Sequence, residues 1–139
     1  MATVNGTNYA KAADPTPGTN ILAAKYWGGK VRVQYDNYTC SSTADGTEIN
    51  VAKLPKGAVF LFAIISHAAL GTGVTLQMGD SGDDDRYLAA TSAESAGQII
   101  ATAQNGVGYE MSSDTTIFVK IGGAAATGLI EVLTFYAVE

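Results

Sequence analysis

A chain of 139 residues has room for one domain, and a domain of that size buries about 68–70% of the surface its unfolded form exposes, so it needs no disulfide or metal staple. With 47% apolar and 15% charged residues it is too apolar for a disordered chain; its net charge of −5, with Lys and Arg scattered singly, speaks against direct nucleic-acid binding, which draws its affinity from clustered cations. So few charges leave little material for a fully solvated surface, and part of that surface is expected to lie against a partner.

The N-terminus, MATVNGTNYAKAADPTPG, has no apolar h-region and does not read as a Sec signal peptide. Pro15 and Pro17 flank Thr16, and proline removes an amide donor and biases its predecessor to extended geometry. Residues 1–27 are therefore expected to form an extended N-terminal arm ahead of a β-sandwich domain at residues 28–139. Tyr9, Ile21, Leu22, Tyr26 and Trp27 would give the arm apolar anchors on a neighbouring subunit.

From Gly28 onward the period is two. Val31, Val33 and Tyr35 alternate with Arg32, Gln34 and Asp36, a strand with one wet face. Residues 40–47 read as a loop with a turn at Asp45-Gly46, Ile49 and Val51 belong to a strand, and Leu54-Pro55-Lys56-Gly57 ends it. Residues 58–66 are apolar on both faces, as in a central strand; the whole run to Leu70 is too short for a spanning helix, which takes about 20 residues. Residues 73–79 and 86–91 read as strands on either side of an acidic turn. Residues 91–103 (TSAESAGQIIATA) allow a helical turn that Gly97 interrupts, so a loop or short helix is expected. Asn105-Gly106 is a turn, 108–111 a short strand and 112–114 a loop, while Ile117, Val119 and Ile121 share one face of a further strand. After a small-residue turn at 122–128, Leu129 to Val138 closes the chain with two apolar faces. Ile130, Val132, Thr134, Tyr136 and Val138 lie on one, Leu129, Glu131, Leu133, Phe135 and Ala137 on the other. Such a strand is central, or one face meets another subunit. The pattern predicts an all-β, single-domain sandwich or barrel, jelly-roll-like, with an extended N-terminal arm.

Chemistry is sparse. Cys40 is the single cysteine and reads as a small buried apolar residue. The one histidine, His67, follows Ser66, and neighbours on a strand point to opposite faces, a poor arrangement for a nucleophile and its base. His67 is expected to be a strand-end residue bonded to backbone. Gly71-Thr72-Gly73 and Gly122-Gly123-Ala124 lack the continuation of a phosphate loop and read as turns. The sharpest local feature is Asp80, Asp83, Asp84, Asp85 and Arg86. Its spacing does not fit an EF-hand; it fits an Asx-rich turn in which carboxylates accept backbone amides and Arg86 balances charge, with a site for a hard cation such as Ca²⁺ as the alternative. No catalytic, cofactor-binding or metal-ligating residue is assigned, and the chain is read as a protein that is not an enzyme and needs no cofactor.

The stretches KVRVQYDNY, KLPKGAVFLFAII, GVTLQMGDSGDDDRYLAAT, GVGYEM and GAAATGLIEVLTFYAVE follow in an order that resembles small virion structural proteins of tailed bacteriophages. The most specific elements are LPKGA at 54–58, GDxxDDDRYL at 79–88 and TGxIxVxxxY at 127–136. The resemblance covers residues 30–139 and leaves the arm outside. It implies a small β domain on the phage particle, made in the host cytoplasm and used in the virion: a capsid decoration (cement) protein on the outside of the shell, with the major capsid protein or other virion subunits as partners. It also implies a homo-oligomer, a trimer by analogy, and carries no catalytic residue to transfer. A tail or fibre component, or a glycan-binding module stacking sugar on Tyr26, Trp27, Tyr35 and Tyr38, is the alternative. Neither nucleic acid nor membrane is expected as a direct partner.

Overall fold

In the computed structural model, which describes residues 2–5, 7–13 and 25–139, the period-two segments become eight strands. They are β1 (Lys30–Thr43), β2 (Glu48–Leu54), β3 (Val59–His67), β4 (Thr75–Asp80), β5 (Asp83–Ser92), β6 (Gly97–Ala101), β7 (Thr115–Gly122) and β8 (Ala126–Val138). Two four-stranded antiparallel sheets face each other: sheet A in the order β1-β8-β3-β6 and sheet B in the order β2-β7-β4-β5. Only β4 and β5 pair as sequence neighbours; every other connection crosses between the sheets. The result is the all-β sandwich expected from the sequence.

One face of each strand fills the space between the sheets. Ile117, Val119 and Ile121 of β7, Leu76 and Met78 of β4, and Ile130 and Val132 of β8 are all buried there, with Tyr87 and Phe60 as the largest fully buried rings. Cys40 is buried in the same core as a free thiol, and burial raises its pKa. Burying each such aliphatic side chain is worth about 1.5–3 kcal/mol, and this repeated term sets the register. A slip of one residue would turn Ile117, Val119 and Ile121 to water.

Three local readings need correction. Residues 97–101 are strand β6 and not a loop or helix: Ile99 and Ala101 enter the core, and the strand pairs with β3 from Ala63↔Ala101 to His67↔Gly97. Strand β1 runs on through Cys40 to Thr43, over residues read as loop. A register shift between Cys40 and Thr43 absorbs the irregular residues, with Ser42 at φ 48° and its amide donating to Thr127 Oγ1 at 3.0 Å. The arm is not wholly extended, because Thr7–Ala13 forms the short helix α1. TNYAKAA is rich in the best helix former, and seven residues alone make a marginal helix. No helix among the described residues is long and apolar enough to cross a membrane.

Residues 108–111, expected to be a strand, do not form one: Glu110 makes a single isolated bridge to Val59, and the flanking backbone bonds to the start of β3. Gly57 and Phe60 amides donate to Met111 and Tyr109 carbonyls at 2.8 and 2.9 Å, and Met111 and Gly108 amides return bonds to Ala58 and Phe60 at 2.8 Å each. Residues 25–26 fasten to the same segment: Lys25 Nζ lies 2.6 Å from Glu110 Oε1, and the Tyr26 hydroxyl donates to Glu110 Oε2 at 2.8 Å. Together these bonds hold the Glu110 carboxyl below the usual carboxylate range. Of the proposed arm anchors, Tyr9 packs edge-on against Trp27 with ring centroids 6.5 Å apart; Ile21 and Leu22 lie outside the described residues.

Candidate interaction surfaces

The acidic turn joins β4 to β5, and its organiser is the buried Asp80. Asp80 Oδ1 accepts the amides of Gly82 at 2.9 Å and Asp83 at 3.2 Å, the Asx turn expected from the sequence. Oδ2 accepts Arg86 Nε at 2.9 Å and the Tyr87 hydroxyl at 2.7 Å. Burial pushes the Asp80 carboxyl up, but Tyr87, the Gly82 amide and Arg86 together outweigh it and leave the pKa below its ordinary value. Burial and the adjacent carboxylate drive the Tyr87 phenol strongly upward, so it stays a hydrogen-bond donor. Arg86 also lies over the Tyr109 ring at 4.1 Å, and Tyr87 packs on Phe60 with centroids 4.3 Å apart, which connects the turn to the core. Gly79 is required here: a Cβ at this position would stand 2.2–2.4 Å from the backbone of Asp83 and Asp84.

Asp83, Asp84 and Asp85 bring carboxylate oxygens within 4.8 Å of one another. Asp84 is engaged by Lys120 Nζ at 2.7 Å, which lowers its pKa, whereas the hydrogen bond and charge of Asp83 push Asp85 up. Beside them lies an open trough of about 860 Å³ on the outer side of sheet B, lined by Glu48, Asn50, Asp80, Asp84, Asp114 and Thr116 among others. It is polar and acidic.

Ser66 and His67 fall on opposite faces of β3: Ser66 pairs with the outward Glu131 and His67 with the inward Ile130. His67 Nδ1 lies 2.8 Å from the Ala68 carbonyl, the backbone bond expected of a strand-end residue. The four aromatics of the sugar-stacking alternative do not form one platform. Tyr35 and Tyr38 have opposite parity on β1, while Tyr26 is bound to Glu110.

One apolar surface among the described residues is only hinted at by single-strand patterns. On the outer face of sheet A, the register lines up Val33–Phe135–Phe62 and then Tyr35–Leu133–Ile64–Ile100 across the strands. Phe62 and Phe135 stack with centroids 4.5 Å apart. Val33, Tyr35 and Ile100 are 52%, 55% and 58% exposed. The next row, Asn37–Glu131–Ser66–Gln98, is polar, with the Tyr35 hydroxyl donating to Glu131 at 2.8 Å. The last strand is thus central in its sheet and also carries an outer apolar face that the described residues leave partly open.

No protein-family model matches the chain, and no curated protein matches it. Among solved structures it is similar to a chain of the cyanophage Pam1 capsid asymmetric unit, with a TM-score of 0.72 and 26% identity over 91% of this chain and 99% of that one. It is similar to a chain of the Ralstonia phage GP4 capsid at TM-score 0.66 and 24% identity, over 80% of this chain and 86% of that one. A chain in the acid-stable capsid structure of Helicobacter pylori bacteriophage KHP30 shares the fold at TM-score 0.58 and 12% identity, over 78% and 87%. The structural likeness is therefore to proteins of phage capsids, the group of virion proteins that the sequence motifs resemble.

Proposed function

We propose that this chain is a non-enzymatic structural protein of a phage particle, a capsid decoration protein that binds the outside of the shell and stabilises it. The observation that carries this reading is the near end-to-end match with a chain of the Pam1 capsid asymmetric unit, which is itself little larger than one such sandwich. The strand order β1-β8-β3-β6 over β2-β7-β4-β5 supports it, since we take it as a jelly roll, an architecture used by viral capsid domains.

The mechanism is linkage. A protein that binds the assembled shell and not its dissociated subunits stabilises the shell by mass action. Repetition over a lattice lets modest individual contacts add up. The protein acts as a homo-oligomer, a trimer by analogy, with the major capsid protein as partner and the virion as its location.

The test is its copy number and position in purified particles. Many copies on tail-free, DNA-free shells, together with a lower disruption temperature for shells lacking the protein, are the expected results. Presence only in tails or fibres refutes the decoration role.

A further inference from the structure

We infer that the outer face of sheet A is the surface through which one copy of this chain binds another; this rests on the reading above that copies associate in the particle. Two consecutive cross-strand rows, Val33–Phe135–Phe62 and Tyr35–Leu133–Ile64–Ile100, contain no charged or hydrogen-bonding side-chain group except the Tyr35 hydroxyl. That hydroxyl turns to Glu131 in the bordering row, where Gln98 Nε2 also donates to Ser66 Oγ at 3.3 Å. An apolar centre with a satisfied polar rim is the anatomy of a protein–protein interface.

Exposure and charge select the occupant. Val33, Tyr35 and Ile100 are each more than half exposed at the two ends of these rows, so the face is open across all four strands of the sheet. The chain carries a net charge of −5, and its acidic groups Glu48, Asp83, Asp84 and Asp114 border the trough on the opposite sheet. Two like-charged copies meet with least repulsion where neither presents charge, and the two apolar rows of sheet A are such a surface. A strongly basic or acidic partner would find no counter-charge in the two apolar rows. The same patch exists on every copy, and three copies that turn it toward a common three-fold axis would close a symmetric assembly.

The experiment is sedimentation of the purified full chain across micromolar concentrations, independent of any particle. The wild type is expected to be an oligomer. Val33→Glu and Ile100→Glu, each at an already half-exposed site on an edge strand, are expected to weaken association about a hundredfold or more by placing unpaired charge in the contact. Their far-ultraviolet spectra should stay native. Thr116→Glu, on the outer side of sheet B, should leave the oligomer intact. If a glutamate variant does not fold, Ile100→Thr keeps a β-branched side chain and should still weaken association. A monomeric wild type, or an oligomer indifferent to substitution at Val33 and Ile100, overturns the inference. A monomer that still binds shells would do so while leaving the decoration role standing. An oligomer split by Val33→Glu that never binds shells upholds the interface and refutes the decoration role.

Discussion

Replacing Asp80 with asparagine keeps the side-chain volume and removes one acceptor. In the native turn the two carboxylate oxygens serve different donors: Oδ1 takes the Gly82 and Asp83 amides, and Oδ2 takes Arg86 Nε and the Tyr87 hydroxyl. An amide has one oxygen, so whichever way the new side chain turned, its NH2 would face donors. Either two backbone amides or a guanidinium and a buried phenol would lose their acceptor. Breaking a buried pair from one side costs about 3–5 kcal/mol, a large share of the roughly 5–15 kcal/mol that typically holds a domain. With a urea dependence of about 1–3 kcal/mol per molar, the midpoint should fall by about 2 M. Protein concentration must be held constant, because association adds to apparent stability. Tyr87→Phe leaves Asp80 its other partners and should cost about 2 kcal/mol. Because the two residues share one bond, the double variant should cost less than the sum. The pH dependence has a definite sign. The pKa of Asp80 is lower in the folded protein than its ordinary 3.8, so its contribution is full above about pH 4 and is lost as pH falls through the folded value. The wild type should lose this stabilisation under acid, and Asp80→Asn should lack that component. A cost below about 1 kcal/mol, or parallel acid titrations of the two proteins, would refute the assignment of Asp80 as the organiser of the turn.

Three further outcomes follow from the same structure. If the four protein donors at Asp80 hold the turn by themselves, chelator should leave the melting temperature unchanged within about a degree; a large drop would make the aspartates ligands. Thr134 is fully buried and its Oγ1 has no hydrogen-bond partner among the described residues, so Thr134→Val should stabilise by about 1–2 kcal/mol in a thermal melt, and a loss of stability would show that the hydroxyl is bonded. Deleting residues 1–20 retains Lys25 and Tyr26 on Glu110 and should leave the melt nearly intact while weakening shell binding, because ordering an arm costs about 1–2 kcal/mol per residue that a partner surface must offset. Unchanged binding would mean that the arm has no part in assembly.

Strand β7 was legible because Ile117, Val119 and Ile121 alternate cleanly and all three reach the core. Strand β6 was not, for the opposite reason. Only Ile99 and Ala101 of its five residues face inward, and the Gly97 that looked like a helix interruption is its first residue, opposite His67. The Asx turn was readable from short-range chemistry, since Asp80, Gly82 and Arg86 lie close together in sequence across one hairpin end. The Tyr87 hydroxyl was missed because a ring at a strand position reads as core packing, and its polar end shows no periodicity. The two apolar faces of β8 were visible in the sequence. That the outer one continues through Ile64 to Ile100 on one side and Tyr35 on the other depends on register across four strands, which no local pattern contains.

The division of labour between the sheets makes stability and assembly separable. The Asp80 network closes the β4–β5 hairpin in sheet B and connects it to the core through Tyr87, so its loss acts on the fold. Val33 and Ile100 stand on the outer edge strands of sheet A, half in water, and contribute little to the isolated sandwich. Leaving such side chains exposed is unfavourable for a lone subunit, and natural edges are usually blunted by charge, twist or cover. On β1 the inward-facing row does carry Lys30, Arg32 and Asp36, yet the outward row is Val31, Val33 and Tyr35. The charges thus fall on the side that meets sheet B and water, and the apolar side chains on the side left open. If that face served only the monomer, charging Val33 would be neutral or would aid solubility, with no change in mass. If it serves a second copy, the same substitution leaves the sandwich folded and removes the assembly, the opposite pattern from Asp80→Asn.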